Sequence, residues 1–195
     1  MEKKHREKIL KLFEHFERLK STPRTGFGYF GLKNAESVAE HSYMVSFITL
    51  ILANLLKEQG EDIDVEKAIS MAILHESGEV LIGDLHKKAR DYIGNDVVEK
   101  AEEDAAGDLF SLLPDQLKKK ILDTYLEFNE RSTKEALLVS SIDKFELLFY
   151  VYLLEKRGQG NLEDFFEHKG NMDMIKNAFV RSFMEDLLNL RKDKQ

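Results

Sequence analysis

A chain of 195 residues is long enough to bury a sizeable hydrophobic core and suits one domain better than two. With 43% hydrophobic and 33% charged residues it is too rich in core formers for a disordered chain, and the absence of cysteine excludes disulfide frameworks, thiol nucleophiles, iron–sulfur clusters and thiolate zinc sites. The 29 Lys+Arg against 36 Asp+Glu leave a net charge of −7; this repels a DNA or RNA duplex but leaves room for a mononucleotide held by a few local cations.

Only Pro23 and Pro114 interrupt the chain, and apolar residues recur at three- and four-residue intervals, the period of an all-α protein. The first helix carries Ile9, Phe13 and Phe16 and ends at Ser21-Thr22-Pro23, because the residue before a proline is pushed out of the helical region. A loop is expected to about Asn34. A capping box of Ser37 and Glu40 then opens a helix with an inward stripe of Val38, His41, Val45, Ile48, Leu52 and Leu55. Asp64 caps the next helix, with Val65, Ala68, Ile69, Ala72, Ile73 and Glu76 in register and an end at Gly78 or Gly83. Later helices are predicted over Asp96–Leu112, from Pro114 to about Asn129, over Ser132–Lys156, and from near Asp173. The longest strongly apolar stretch, Val45–Leu56, contains Ser46, Thr49 and Asn54 and is shorter than a bilayer crossing. The Met1-Glu-Lys-Lys-His start lacks the apolar core of a signal peptide, so the expectation is a cytoplasmic protein without a membrane partner.

Ionisable side chains interrupt three of these buried stripes. His41 sits on the first. Glu76, beside His75 and with Glu79 four residues after that histidine, sits on the second; Asp143 breaks the Ala136, Ser140, Leu147, Val151 series on the third. Singly, each has an ordinary explanation: a core histidine bonded to a carbonyl, or an aspartate capping a helix or pairing with a cation. Together, two imidazoles and two carboxylates are satisfied at once by a shared divalent cation. Arg24 reads as a solvated charge or as a guanidinium suited to a phosphate monoester. Gly26-Phe-Gly28-Tyr-Phe-Gly31 has the spacing of a dinucleotide-binding loop but no strand before it, and His75-Glu76-Ser-Gly-Glu79 lacks the second histidine of a zinc protease. His5, His15 and His168 stand in charged surroundings, and the Phe149, Tyr150, Tyr152, Phe165 and Phe166 group reads as core or subunit contact.

Ser37-Val-Ala-Glu-His41-Ser42, the His75–Glu79 segment followed by Val80-Leu-Ile-Gly83-Asp84, Ser141-Ile-Asp143-Lys144, and Pro23-Arg24-Thr25-Gly26 together resemble the HD-domain metal-dependent phosphohydrolases. Within them they are most similar to the branch holding the bacterial and archaeal 5′-deoxynucleotidases and the human HD-domain-containing protein 2. The resemblance implies a compact, single-domain all-α HD bundle over 1–195, with a core at about 8–156 and a helical extension at 157–195, and a homodimer. It implies His41, His75, Glu76 and Asp143 as metal ligands and Arg24, with Thr25 beside it, as the phosphate grip. Glu79 would orient or deprotonate water, Asp84 would stand near the leaving oxygen, and Leu85, His86 and Lys87 would contact the nucleotide, with Glu76 and Asp143 also facing it.

Two departures stand out. The family's His-Asp pair is His75-Glu76 here, one methylene longer, and the run after Asp84 offers His86 and Lys87 in place of a proline. The expected cofactor is one divalent transition metal, Mn, Co, Fe or Ni rather than Zn or Mg. The expected reaction is hydrolysis of deoxynucleoside 5′-monophosphates. The alternatives are a related activity on dNTPs or cyclic nucleotides, and a non-catalytic nucleotide- or partner-binding module with a degraded metal site.

Overall fold

The computed structural model describes residues 2–160, 162–167 and 169–192; His168 lies outside them. Its helices are α1 (Lys3–Phe16), α2 (Thr25–Tyr29), α3 (Val38–Glu58), α4 (Val65–Leu74), α5 (Glu79–Ile82), α6 (Lys87–Ile93), α7 (Asn95–Phe110), α8 (Asp115–Glu130), α9 (Lys134–Lys156), α10 (Glu163–Glu167), α11 (Lys169–Asp173) and α12 (Ala178–Lys192), with a 3₁₀ turn at Glu17–Lys20. Among the described residues there is no strand, only an isolated bridge between Pro23 and Ser37. The chain is all-α.

Two helical units build the fold, each from two stretches of chain: residues up to Ser42 with Leu74–Leu126, and Tyr43–Ile73 with the residues from Glu127 on. The boundaries fall inside α3, α4 and α8 rather than in linkers.

The first unit has a core of Leu12, Leu19, Val38, Val80, Ala106, Leu109, Phe110 and Tyr125. Phe110 stacks on Phe16 and meets Tyr125 edge-on, both at 6.4 Å, arrangements that aromatic quadrupoles favour. Phe13, expected on the inner stripe, is instead 59% exposed, because α1 turns Leu12 and Phe16 inward. The expected loop to Asn34 contains α2.

The start of α3 follows the sequence closely. Glu40 Oε2 accepts from the Ser37 backbone N–H at 2.7 Å, and the Ser37 hydroxyl accepts from the Glu40 N–H at 3.2 Å, a reciprocal capping box. The buried face of α3 runs through Val38, His41, Val45, Thr49, Leu52, Ala53 and Leu56; Leu55 falls outside it. At 21 residues, α3 meets the length and apolar composition of a membrane crossing, which the Val45–Leu56 stretch alone did not suggest. Core helices of soluble proteins meet the same test.

In the second unit, Lys67 N–H donates to the Asp64 carboxylate at 3.0 Å, capping α4 as expected. Asn177 caps α12 through Phe179 and Val180 N–H, while its own N–H donates to Ser141 Oγ at 3.0 Å. The last long helix therefore starts at Ala178, after an Asn cap, and not near Asp173. Arg191 donates to Glu155 at 2.7 Å and to Glu163 at 2.5 Å, with its guanidinium 4.0 Å from the centre of the Phe166 ring. Tyr152, Phe165 and Phe166 are buried, which gives the aromatic group its core role.

Candidate metal and phosphate site

The sequence places Glu76 in register with α4, but that helix ends at Leu74. Residues 75–78 form a turn that continues into α5. Gly78 makes this turn fit: a Cβ there would stand 2.6 Å from Glu102 Cβ and 2.8 Å from Glu102 Cα, so α7 can lie this close only against a bare backbone. Gly83 ends α5 with φ +80°, where a side chain would be strained. His75, Glu76, Glu79 and Asp84 are thus fixed on a short, tightly held segment.

His41, from the first turn of α3, meets this segment. His41 Nε2 lies 3.4 Å from His75 Nε2 and 3.6 Å from Glu76 Oε1, and His75 Nε2 lies 3.5 Å from the same oxygen. Both histidines are buried. Three donors facing one another at such spacing suit a cation. A triangle with a mean side of about 3.5 Å has its centre about 2.0 Å from each corner (side over √3), within the range of metal–imidazole and metal–carboxylate bonds. The charge balance of the site favours the same ligand, since the carboxyls of Glu76, Asp84 and Glu102 outnumber the guanidiniums of Arg24 and Arg90. The donor set fits a divalent ion.

Arg24, from the segment before α2, donates to Glu76 Oε1 at 2.8 Å and lies 3.7 Å from Asp84 Oδ1. Its own backbone N–H donates to the Glu36 carbonyl at 3.2 Å. Thr25 holds Asp84: backbone N–H and hydroxyl both lie 2.6 Å from Asp84 Oδ2, and the hydroxyl accepts from His86 N–H at 3.1 Å. Glu79 is buried, and its Oε2 has no hydrogen-bond partner among the described residues. Burial first, then the negative charges of Glu76 and Asp84, push its carboxyl well above the ordinary range, against a downward pull from Arg24.

Of the remaining expected residues, Leu85 is half-buried just beyond Asp84. His86 Nδ1 accepts from Ala89 N–H at 3.4 Å, so its ring serves as the N-cap of α6. Lys87 is exposed and paired with Asp91. Asp143 lies on α9 in the second unit, nearly covered, with Lys144 Nζ 3.0 Å from its Oδ2.

Sequence reading missed three residues of this region. Glu102 bonds Arg90 at 2.5 Å behind the Glu79 turn; it shares a stripe with the buried Val98, Ala106 and Leu109, and that spacing could have revealed it. Arg90 sits on α6, a helix with no buried residue and hence no apolar signature. Glu36, with its carboxylate 3.8 Å from His41 Nδ1, precedes the capping box and carries no periodic signal.

The sequence profile described as HD domain matches residues 16–181. The chain belongs to the HD-domain family. This HD-domain protein is 31% identical over 189 residues to the 5′-deoxynucleotidase HDDC2 of Dictyostelium discoideum, covering 95% of this chain and 98% of that one. It is 27% identical over 188 residues to the 5′-deoxynucleotidase hdd1 of Schizosaccharomyces pombe, covering 94% and 90%. A conserved hypothetical protein from Pyrococcus furiosus superposes with a TM-score of 0.78 at 34% identity, over 92% of this chain and 99% of that chain. These relatives put the HD-domain protein in the 5′-deoxynucleotidase branch.

Proposed function

We propose that this HD-domain protein is a metal-dependent phosphomonoesterase that hydrolyses deoxynucleoside 5′-monophosphates to deoxynucleosides and phosphate. The observation that carries the proposal is the triangle of the buried His41 and His75 with the partly covered Glu76, the Arg24 guanidinium against it, in a chain whose relatives are named 5′-deoxynucleotidases.

His41, His75 and Glu76 would hold the ion, with Asp143 as the fourth ligand. The assignment of Asp143 rests on its Ser141-Ile-Asp143-Lys144 motif and its interruption of an apolar stripe. A bound divalent ion supplies Lewis acidity, lowering the pKa of water and offsetting phosphate charge. Two imidazoles and two carboxylates suit Mn, Co, Fe or Ni better than Zn or Mg.

The chain's own groups do the rest. The Arg24 fork takes the non-bridging phosphate oxygens in paired hydrogen bonds. Glu79 Oε2, without a hydrogen-bond partner among the described residues, accepts a hydrogen bond from the attacking water and takes its proton, a role for which a raised carboxyl is suited. The water oxygen bonds to phosphorus, the bond from phosphorus to O5′ breaks, and the proton passes to O5′ through Asp84, which Thr25 holds in place. Leu85, His86 and Lys87 border the nucleoside.

The chain acts as one HD domain over 1–195, a reading supported by a profile match that runs through both helical units. A homodimer is supported by the exposed apolar stripe Tyr43, Phe47, Ile51 and Leu55 on α3, at i, i+4, i+8 and i+12. The net charge of −7 supports a small nucleotide over duplex nucleic acid, and we place the enzyme in the cytoplasm with no membrane partner. Phosphate release from a panel of dNMPs, dNTPs and cyclic nucleotides, with Mn or Co and then with chelator, tests the proposal. Turnover of dNMPs that chelation abolishes supports it; turnover indifferent to chelator, or confined to the other substrates, overturns it.

A further inference from the structure

We propose that Glu36 is a positioning residue that fixes the His41 ring with its proton on Nδ1, leaving the Nε2 lone pair directed at the His75 and Glu76 donor atoms. The inference rests on the metal-binding reading above and adds to it a residue outside the ligand set.

Glu36 and His41 are 6% and 0% exposed, and Glu36 Oε1 lies 3.8 Å from His41 Nδ1. This is ion-pair distance, about 1 Å longer than a closed N–H···O⁻ hydrogen bond. The backbone around Glu36 is fixed on both sides. Its carbonyl accepts from Arg24 N–H at 3.2 Å, and Val38 N–H donates to the Thr22 carbonyl at 2.9 Å. One residue on, Ser37 enters the capping box that starts α3, and the His41 N–H donates to the Ser37 carbonyl at 3.1 Å. The carboxylate is therefore presented to the ring by a rigid segment that also carries Arg24.

Electrostatics then chooses the tautomer. A neutral His41 protonated on Nε2 would turn its Nδ1 lone pair toward the Glu36 carboxylate, whereas at the Nε2 end the facing carboxylate oxygen, Glu76 Oε1 at 3.6 Å, already accepts from the Arg24 guanidinium at 2.8 Å. The other tautomer turns Nδ1–H toward the carboxylate and leaves Nε2 as a lone-pair donor, the form a metal ligand needs. Carboxylates that hold the far nitrogen of a ligating histidine orient the ring and raise its basicity, and their loss costs about 10- to 100-fold in metal affinity.

The test uses the full chain labelled with ¹⁵N-histidine and kept in chelator for NMR, followed by titration with Mn or Co alone. Wild type, Glu36→Gln and Glu36→Met are compared, with thermal melts to identify folded samples. The expected wild-type result is His41 protonated on Nδ1. Glu36→Met should show a mixture of tautomers and bind metal about 10- to 100-fold more weakly. Glu36→Gln, which keeps an acceptor oxygen, should retain the tautomer and lose less affinity. A wild-type His41 protonated on Nε2 overturns the proposal, as does Glu36→Met with unchanged tautomer and affinity. Should Glu36→Met not fold, wild type and Glu36→Gln decide: a Gln variant that binds metal as tightly as wild type counts against Glu36. If wild type binds neither metal, the functional reading fails, while the His41 tautomer still decides the role of Glu36.

Discussion

Arg24 donates a 2.8 Å hydrogen bond to Glu76 Oε1, the same oxygen that faces the Nε2 atoms of His41 and His75. The phosphate grip and the metal donors therefore share an atom, so substrate charge and cation charge act on one carboxylate. Replacing Arg24 with alanine should lower kcat/KM for dNMPs by about 10²- to 10³-fold, the usual effect of losing one preorganised charge donor. Arg24→Lys should recover little, because an ammonium lacks the paired geometry of the guanidinium. Steady-state kinetics at saturating metal measures both; a lysine variant with wild-type turnover would contradict the shared-atom arrangement.

The extra methylene at position 76 is built into this site. Glu76 Oε1 already stands 3.5 and 3.6 Å from the two imidazoles, so restoring the family's shorter acid withdraws the oxygen by roughly one C–C bond, about 1.5 Å. Glu76→Asp is expected to weaken Mn or Co binding about tenfold or more. Calorimetric metal titration checks this, and tighter binding by the aspartate variant would argue against the assignment.

Glu79 should trade stability for function. Its carboxyl is raised in the folded protein by burial and by Glu76 and Asp84. The contribution of such a group is fully favourable below the unfolded carboxyl pKa of about 4.3 and is lost as pH rises toward the raised folded value. Metal-free wild type should therefore lose stability from about pH 4.3 upward through this group, and Glu79→Gln should lack that fall. The variant is expected to melt higher at neutral pH in chelator and to lose about 10²-fold or more in turnover. Denaturant melts across pH 5–8 provide the check; a Gln variant less stable than wild type at pH 7 would contradict the buried carboxyl with its raised titration.

Much of this arrangement can be read from the residues because burial and periodicity coincide. Ser37 and Glu40 announce the start of α3, and a histidine at position 41 on an otherwise apolar stripe is visible as an anomaly. Glu76 is visible too, but for a partly mistaken reason: α4 stops at Leu74, and the turn that carries Glu76 depends on α7 packing against Gly78, a contact between distant stretches of chain. α6 leaves no pattern, since none of its residues is buried and its cap is a histidine rather than Ser, Thr, Asp or Asn. Phe13 and Ile73 fit helical stripes yet lie outside, each 59% exposed, because spacing fixes which residues share a face but not which face turns inward.

Gly78→Ala tests the turn. Its Cβ would meet Glu102 Cα and carbonyl oxygen at 2.8 and 2.9 Å, backbone atoms that cannot rotate away. A loss of about 1–3 kcal/mol is expected, as for other overpacked sites. Chemical denaturation measures it; a neutral substitution would mean that α7 and the turn are more loosely joined.

For the α3 stripe, Phe47→Glu should shift the protein from dimer to monomer in sedimentation velocity while preserving the helical signal, since Phe47 is 48% exposed and makes little core contact. An unchanged sedimentation coefficient would exclude this stripe as the dimer contact.

The most direct measurement joins elemental analysis of protein purified without chelator to dNMP turnover by the same sample. About one divalent transition metal per chain is expected, with phosphate release that disappears in chelator, returns with Mn or Co, and is lost in His41→Ala and His75→Ala variants that still fold. Full turnover by a metal-free sample, or by either histidine variant, would contradict the proposal that these side chains hold the ion on which the chemistry depends.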